Sequence, residues 1–309
     1  MSNATNPTLG VVILNYNDVD ETLFLVNKLK RFSEIDHIVV VDNCSSDDSP
    51  EKLFSSCDGT WTLICTRENR GYAAGNNIGI RYLAEECGME LIAIANPDVS
   101  FSNSFVRIIK QDFGRLPDYG ILTGVQYGRD GKVYYHAFWK AHNVLSCYLE
   151  IMKKYPFLGN LLRLITPNDA YVKQQLCYNT DVFPTGTVSG CLFFARTELF
   201  KLTGGFDEGT FLFYEEDILA KKVEKMNYKI GVDPRIRFMH KGSSSISKAM
   251  PQLSKELQML ESCSYYFHNY VSRNVIDAIA MDGIINLFRF MLPLMLKGMR
   301  WMNRAKMRT

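Results

Sequence analysis

The chain has 309 residues, enough for two domains of about 150 residues each or for one large α/β domain with an appendage. Charged residues make up 22%, hydrophobic residues 47%, and the mean hydropathy is −0.10, which argues against a disordered chain, a collagen or a polytopic membrane protein. The 35 basic and 33 acidic side chains leave a net charge of +2, so there is no global electrostatic case for nucleic acid as a partner.

Leu9 to Leu14 is apolar and β-branched without alternation, which predicts a strand buried on both faces of a parallel sheet; it ends in Asn15-Tyr16-Asn17-Asp18. Between Asp20 and Phe32, Leu23, Val26, Leu29 and Phe32 recur at helical spacing. Ile38 to Val41 is a second strand, closed by the polar run Asp42 to Pro50 with its helix-capping chemistry, and Trp61 to Cys65 is a third. Asn69-Arg70-Gly71-Tyr72-Ala73-Ala74-Gly75-Asn76-Asn77-Ile78-Gly79 leads into a helix around Ile80 to Glu86, and Leu91 to Ala95 is a fourth strand closed by Asn96-Pro97-Asp98. Strands alternating with helices predict an α/β protein with a doubly wound, mainly parallel sheet whose ligands sit at the carboxyl ends of the strands. Each polar cluster falls at such an end.

From 127 to 184 the chain turns aromatic and basic with helical stretches, and reads as an insertion on the substrate side. Val188 to Ala195 is strand-like, Gly204-Gly205-Phe206-Asp207 turns into Phe211 to Asp217, and a helix runs on through Val223. Ile230 to Val232 and Ile236 to Phe238 read as short strands before His240-Lys241-Gly242. After Pro251 the pattern is helical to the end. The organisation expected is a catalytic unit over 9–250 and a helical extension over 251–309.

Eight cysteines show no Cys-x-x-Cys pair or other zinc-like spacing, so most are expected to be buried small hydrophobes. The start lacks a basic region followed by an apolar one, the expectation being a protein without a signal peptide and with reduced thiols in the cytosol. No Gly-x-Gly-x-x-Gly follows the first strand and no P-loop occurs anywhere, which argues against a nicotinamide enzyme or a P-loop ATPase.

Asp42, at the tip of the second strand, either caps the next helix or accepts from a ribose or base edge. Asp98 either closes an Asx-turn with Pro97 or projects from the ligand edge, where a hard divalent cation can bridge it to a diphosphate; one carboxylate suffices when water and phosphate oxygens complete the shell. In Tyr214-Glu215-Glu216-Asp217, Glu215 reads as favouring the helix dipole, whereas Asp217, among Phe211, Phe213 and Tyr214, reads as a partly desolvated general base. His240 follows a strand and precedes a Gly-Ser run, a place suited to metal or pyrophosphate contact.

The ordered set Val-Val-Ile-Leu-Asn-Tyr-Asn, Val-Val-Asp-Asn-x-Ser-x-Asp, Asn-Arg-Gly-Tyr-Ala-Ala-Gly-Asn-Asn-x-Gly, Asn-Pro-Asp, Gly-Gly-Phe-Asp-Glu, Glu-Glu-Asp and His-Lys-Gly-x-Ser resembles the family 2 glycosyltransferases of GT-A fold, in the branch holding rhamnosyltransferases of bacterial surface polysaccharide assembly; the likeness runs from Leu9 to Ser247. The resemblance implies that Tyr16, Asn17 and Asp42 line the base and ribose site, with Arg70 and Asn76 along the nucleotide. It implies that Asp98 is the remaining carboxylate of an Asp-x-Asp motif whose first acid is Asn96. His240 completes metal or diphosphate binding, with Mg2+ or Mn2+ as the cofactor, and Gly190 with Cys191 forms the strand beside the donor sugar. Asp217 is then the base of an inverting single displacement, with Tyr214 and Glu216 on the acceptor side. Many relatives follow the catalytic acid with Asp-Leu-x-x-Arg, and here Ile218-Leu219-Ala220-Lys221-Lys222 stands instead, a departure that bears on acceptor preference.

After Asp282 no acid occurs, and Arg289, Lys297, Arg300, Arg304 and Arg308 fall on one helical face, opposite Leu287, Phe290, Met291, Leu294, Met295 and Met302. Arg289, Pro293 and Lys297 break any spanning apolar run, so the expectation is an interfacial amphipathic helix on a membrane surface, against the alternative of a helix packed on the catalytic domain or a dimer partner. The expected partners are a dTDP- or UDP-sugar donor, a glycan or polyprenyl-diphosphate-linked acceptor and the inner face of the plasma membrane, with a homodimer also allowed. A catalytically silent nucleotide-sugar-binding or scaffolding subunit is the alternative function, disfavoured by the presence of both Asp98 and Asp217.

Overall fold

The computed structural model describes residues 6–134, 137–154, 159, 162, 168–242 and 251–306, with backbone alone at 168–170 and from 294 onward. Strand β1 (Leu9–Asn15), helix α1 (Val19–Leu29), β2 (His37–Asp42), α2 (Ser49–Ser56), β3 (Thr62–Cys65), α3 (Gly71–Arg81) and β4 (Leu91–Ala95) form successive strand–helix–strand crossovers, and the four strands are parallel in the order β3-β2-β1-β4. Alternate β1 residues enter opposite cores. Val11 and Ile13 pack with Leu25 and Val26 of α1, whereas Val12 packs with Ile80 of α3, so both faces of the strand are apolar.

Past the short β5 (Val99–Ser100), α4 (Asn103–Arg115) is capped by Ser102, whose Oγ accepts from the Phe105 amide at 3.1 Å. β6 (Tyr119–Tyr127) follows, then β7 (Phe138–Trp139), α5 (Val144–Met152), α6 (Asn168–Tyr178), β8 (Phe183–Thr185) and β9 (Thr187–Val188) of the insertion. β10 (Leu192–Arg196) inserts antiparallel between β4 and β6, so its beginning lies on the same sheet edge as the end of β4, with Leu192 opposite Ala95. After α7 (Thr197–Thr203) and α8 (Glu215–Lys225), β11 (Lys229–His240) runs parallel to β6 and carries His240 to that edge. Most strands of the sheet therefore run one way, as expected, with β10 reversed at its centre and the short β5 and β8 reversed against β11.

Several sequence expectations are corrected. The two short strands expected around Ile230 and Phe238 are one strand, shifted in register between Asp233 and Arg237. Pro234 supplies no amide there, and the buried Asp233 carboxylate accepts instead from the Arg235 backbone at 2.9 Å and its guanidinium at 2.8 Å. Val188 to Ala195 is interrupted at Ser189-Gly190-Cys191, the turn that faces the site. The carboxyl-terminal helix is two helices, α9 (Gln252–Tyr266) and α10 (Val275–Lys306), broken after a π-turn at Phe267–Val271. Only Cys147, Cys191 and Cys263 are buried, while Cys65 and Cys177 are exposed; all eight are free thiols.

A third core joins the extension to the catalytic unit: Cys147 and Ile151 of α5 and Ile218 of α8 pack with Leu260, Cys263 and Tyr266 of α9 and with Met281, Ile285, Phe288 and Leu292 of α10. Leu287 and Phe290 of the apolar face point outward, 54% and 76% exposed, in a row with Val275, Ile276 and Ile279, while the face of Met281, Ile285, Phe288 and Leu292 packs on protein. The side chains of Leu294, Met295, Lys297, Arg300, Met302, Arg304 and Arg308 lie outside the described residues, as does the chain from 243 to 250 with Ser247.

Gly71 starts α3 at φ +93°, and a Cβ there would overlap the Phe211 carbonyl, which already accepts the Tyr72 amide at 2.9 Å. Gly71→Ala is expected to cost at least about 2 kcal/mol through left-handed strain and this overlap, seen as a Tm lowered by several degrees.

Candidate active site

The carboxyl edge of β1 and β2 is held by a polar cluster. Asp42, 1% exposed, accepts at Oδ1 from Asn15 Nδ2 at 2.8 Å and Ser45 Oγ at 2.7 Å, and at Oδ2 from the Ser45 amide at 3.1 Å. Its carboxylate thus shapes the loop after β2 and turns inward, away from the open base edge expected for it. Asn17, at φ +54°, accepts from the Ser46 amide at 2.8 Å and so ties the loop after β1 to the loop after β2, with Tyr16 half-buried beside it. Beyond this knot a cavity of about 250 Å³ opens between the ends of β2 and β3 and the start of α3; Asn43, Thr66, Arg67, Arg70, Gly75 and Arg81 line it. Arg70 is exposed and lies 3.2 Å from Glu208. Asn76 is buried, donating to the Tyr72 carbonyl at 3.0 Å, and its Oδ1 has no partner. Asn77, its neighbour, is the structural one: it donates to the Phe206 carbonyl at 3.0 Å and accepts the Phe206 amide at 2.9 Å, clamping the Gly-Gly-Phe-Asp turn onto α3.

At the centre of the edge, Asp98 and His240 meet. His240 Nε2 lies 3.1 Å from Asp98 Oδ1, at an angle too poor for a hydrogen bond, and both Nε2 and Asp98 Oδ2 are buried without a hydrogen-bond partner among the described residues. Burial opposes a charge on His240, but Asp98 and the Cys191 sulfur outweigh it and push the imidazole up to about 10. Its Nδ1 sits 3.0 Å from the Gln126 side-chain amide, and a cation bound at Nε2 would have to displace the proton that Asp98 favours on the ring. Two orphaned hard donors, one carboxylate and one imidazole, fit a divalent cation that takes its other ligands from water and phosphate. Among the described residues no group of three such side chains occurs.

Gly190 links this pair to the acids of α8. The Gly190 amide donates to Glu216 Oε1 at 2.9 Å, and its carbonyl accepts the Tyr72 hydroxyl at 2.7 Å. The next carbonyl, of Cys191, accepts the Asn96 amide at 2.8 Å, and Cys191 Sγ reaches Gln126 Oε1 at 3.5 Å. A Cβ on Gly190 would stand 2.7 Å from Glu216 Oε1, so a side chain here would displace the end of that glutamate.

The three acids at the start of α8 have different surroundings. Glu215 is buried with Oε1 unpaired, and burial, then Glu216, raise it well above the carboxylate range. Glu216 is raised by burial, against which the Gly190 amide works. Asp217, 4% exposed, accepts at Oδ1 from His142 Nδ1 at 2.7 Å and Trp139 Nε1 at 3.1 Å, both from the insertion. Phe213 and Tyr214 enter the helix at φ +74° and +68°, strain of about 1–3 kcal/mol each that sets these acids against Gly190. Tyr214 turns its ring onto Tyr266 of α9, with centroids 5.4 Å apart.

Of the residues singled out in the sequence, Asp98, His240, Gly190, Cys191, Glu216 and Asp217 come together, while Tyr16, Asn17, Asp42, Arg70 and Asn76 occupy the β1–β3 side of the same edge. Asn15, Thr66, Arg67, Gln126, Trp139 and His142 were not singled out. Asn15 and Gln126, polar residues closing apolar strands, carried a readable signal; Trp139 and His142 lie in an aromatic, basic stretch where nothing marks them.

Residues 10–202 match the family model described as Glycosyl transferase family 2. The chain belongs to this family. It is 25% identical over 223 residues to the low-salt glycan biosynthesis hexosyltransferase Agl10 of Haloferax volcanii, covering 72% of this chain and 64% of that protein. It is 24% identical over 227 residues to the N-acetylglucosaminyl-diphospho-decaprenol L-rhamnosyltransferase of Mycobacterium tuberculosis, covering 68% of each. Among solved structures it is similar to the mannosyltransferase PcManGT of Pyrobaculum calidifontis in complex with GDP-Man and Mn2+, with a TM-score of 0.55 at 15% identity over 93% of this chain and 72% of that one. It is likewise similar to S. aureus TarS 1–349 in complex with UDP-GlcNAc, with a TM-score of 0.54 at 14% identity over 91% and 71%. The fold of this family 2 member is the GT-A fold expected from its motifs.

Asp98→Asn and His240→Gln are each expected to weaken Mn2+ binding in the presence of UDP by at least about tenfold, measured by titration calorimetry.

Proposed function

We propose that the chain moves a sugar from a nucleoside-diphosphate donor to a hydroxyl of a lipid-linked or growing surface glycan, with inversion at the anomeric carbon. The observation that carries this reading is the meeting of two chemistries at Gly190-Cys191: the orphaned Asp98–His240 pair on one side, and the Glu216 and Asp217 carboxylates on the other. The donor's base and ribose lie toward the cavity beside Asn43 and Thr66, with Arg67 and Arg70 placed to meet phosphate charge. Asp98 and His240 would hold Mg2+ or Mn2+, which when bound neutralises charge on the leaving diphosphate. Asp217 takes the proton of the acceptor hydroxyl as that oxygen bonds to the anomeric carbon and the bond to the diphosphate breaks. The relatives named for hexosyl and rhamnosyl transfer favour a dTDP- or UDP-hexose, dTDP-rhamnose foremost, and the mycobacterial relative's name favours a polyprenyl-diphosphate-linked acceptor.

Asp217→Asn is expected to lower transfer by about 10²–10⁴-fold while leaving donor binding intact. Thermal shifts against UDP-, dTDP- and GDP-sugars, with and without Mn2+, check the binding half, since a ligand at 100 times its Kd stabilises by about 2.7 kcal/mol. Turnover unchanged in this variant would remove Asp217 from the reaction; absence of a shift with every donor would favour a silent scaffold.

We also propose that α10 rests on a membrane surface. No helix among the described residues is long and apolar enough to cross a membrane, but Val275, Ile276, Ile279, Leu287 and Phe290 form an outward apolar row, and the sequence beyond Asp282 holds basic residues and no acid. Basic side chains at an anionic surface contribute about 1 kcal/mol each. The protein is expected to sediment with phosphatidylglycerol vesicles and far less with phosphatidylcholine, and Ile276→Asp combined with Phe290→Asp to abolish it. A concentration-dependent dimer in light scattering, with no vesicle binding, would assign the row to a second copy instead.

A further inference from the structure

The acid read above as the base has its environment completed by the insertion. His142 Nδ1 and Trp139 Nε1 both reach Oδ1 of Asp217, at 2.7 and 3.1 Å, whereas Oδ2 takes no bond from any described residue. The segment bringing these donors is itself fixed. Trp139 pairs with Thr187 in a small sheet, its carbonyl accepts from Thr185 Oγ1 at 3.3 Å, the His142 carbonyl accepts from the Tyr266 hydroxyl at 2.9 Å, and Asn143 caps α5. Thr187 Oγ1 in turn donates to the Glu216 carbonyl at 3.1 Å, so the same small sheet holds the backbone of α8. The His142 side chain is 20% exposed against 6% for Asp217, which makes the imidazole the wetter end of the pair.

We propose that His142, with Trp139, is a positioning residue for the acceptor-side base: it engages Oδ1 of Asp217 and so leaves Oδ2 as the atom that receives the acceptor proton. The inference rests on the reading of Asp217 as that base. A carboxylate with one oxygen held by two donors has its plane fixed, and its free oxygen then has one direction in which to meet a hydroxyl. Burial lowers the proton affinity of His142, but Asp217 and Glu150 outweigh this, with Lys153 opposing them, and the net direction is upward from the ordinary 6.5. The uncharged rings of Trp139, Tyr214 and Tyr266 and the thiols of Cys147 and Cys263 complete the surroundings. The sign for activity follows. Below the raised value an imidazolium pairs with the Asp217 carboxylate; above it the neutral ring still donates from Nδ1 but no longer holds that carboxylate by charge, so kcat rises with pH through a limb alkaline of 6.5.

The test compares wild type with His142→Phe, His142→Asn and Asp217→Asn, using dTDP-rhamnose and UDP-hexoses with a synthetic polyprenyl-diphosphate N-acetylglucosamine. His142→Phe is expected to lower kcat by about 10²-fold with KM for the donor within about twofold. His142→Asn, which keeps an amide donor near the Nδ1 position, is expected to restore most of kcat and to lack the alkaline limb. In NMR titrations the His142 imidazole is expected to return toward its ordinary value in Asp217→Asn. If His142→Phe is folded and matches wild type in kcat and pH profile, the positioning role is overturned. If it does not fold, a limb retained in His142→Asn overturns it. An active Asp217→Asn removes the base reading and this proposal together, whereas an inactive Asp217→Asn beside a wild-type-like His142→Phe removes the proposal alone.

Discussion

The site depends on a stretch of backbone with no side chain at its middle. Gly190 turns its amide to Glu216 and its carbonyl to Tyr72, and Cys191 turns its carbonyl to the Asn96 amide. Three distant segments are thereby fixed to one peptide pair: the helix after Asn69-Arg70, the turn after β4 and the start of α8. Since β10 runs antiparallel between β4 and β6, this peptide pair sits at the edge where the parallel strands end. A Cβ at 190 would push into Glu216 Oε1, so the packing of α8 against the sheet and the placement of its acids are one constraint.

Around this point the same residue type is put to different uses by its surroundings. Asp42 has both oxygens satisfied and works as a structural knot, Asp98 keeps one oxygen bare beside a bare imidazole nitrogen, and Asp217 keeps one oxygen free with the other doubly held. Asp233, inside β11, is consumed by Arg235 at a bulge. Only unequal satisfaction of this kind separates a carboxylate that supports a loop from one able to meet a cation or a proton.

The parallel half of the fold was legible because both faces of β1, β2 and β4 are buried, which leaves unbroken Val, Ile and Leu runs between polar turns. The reversed β10 was not, since antiparallel insertion leaves no local mark on Leu-Phe-Phe-Ala-Arg. The Asp98–His240 pair could be read from its place at strand ends, whereas Gly190 entered only with the family resemblance. For Asp42 the choice between a cap and a base contact stayed open, because its partner Asn15 stands 27 residues away and only folding shows them meeting. His142 stood in a segment without periodicity, 75 residues from Asp217, where only a tertiary contact gives the residue meaning.

The Gly-Gly-Phe-Asp turn is gripped from behind: the Asp207 carboxylate accepts from the hydroxyls of Tyr265 and Tyr270, and Ser262 donates to the Leu212 carbonyl at 2.7 Å. The segment leading into the acids of α8 therefore has its outer wall built from the carboxyl-terminal helices. A force applied to those helices, wherever they come to rest, is transmitted through two phenols to the loop that aims the acids. The extension is thus a lever on the site, and a chain cut before α9 would lose part of its active-site wall.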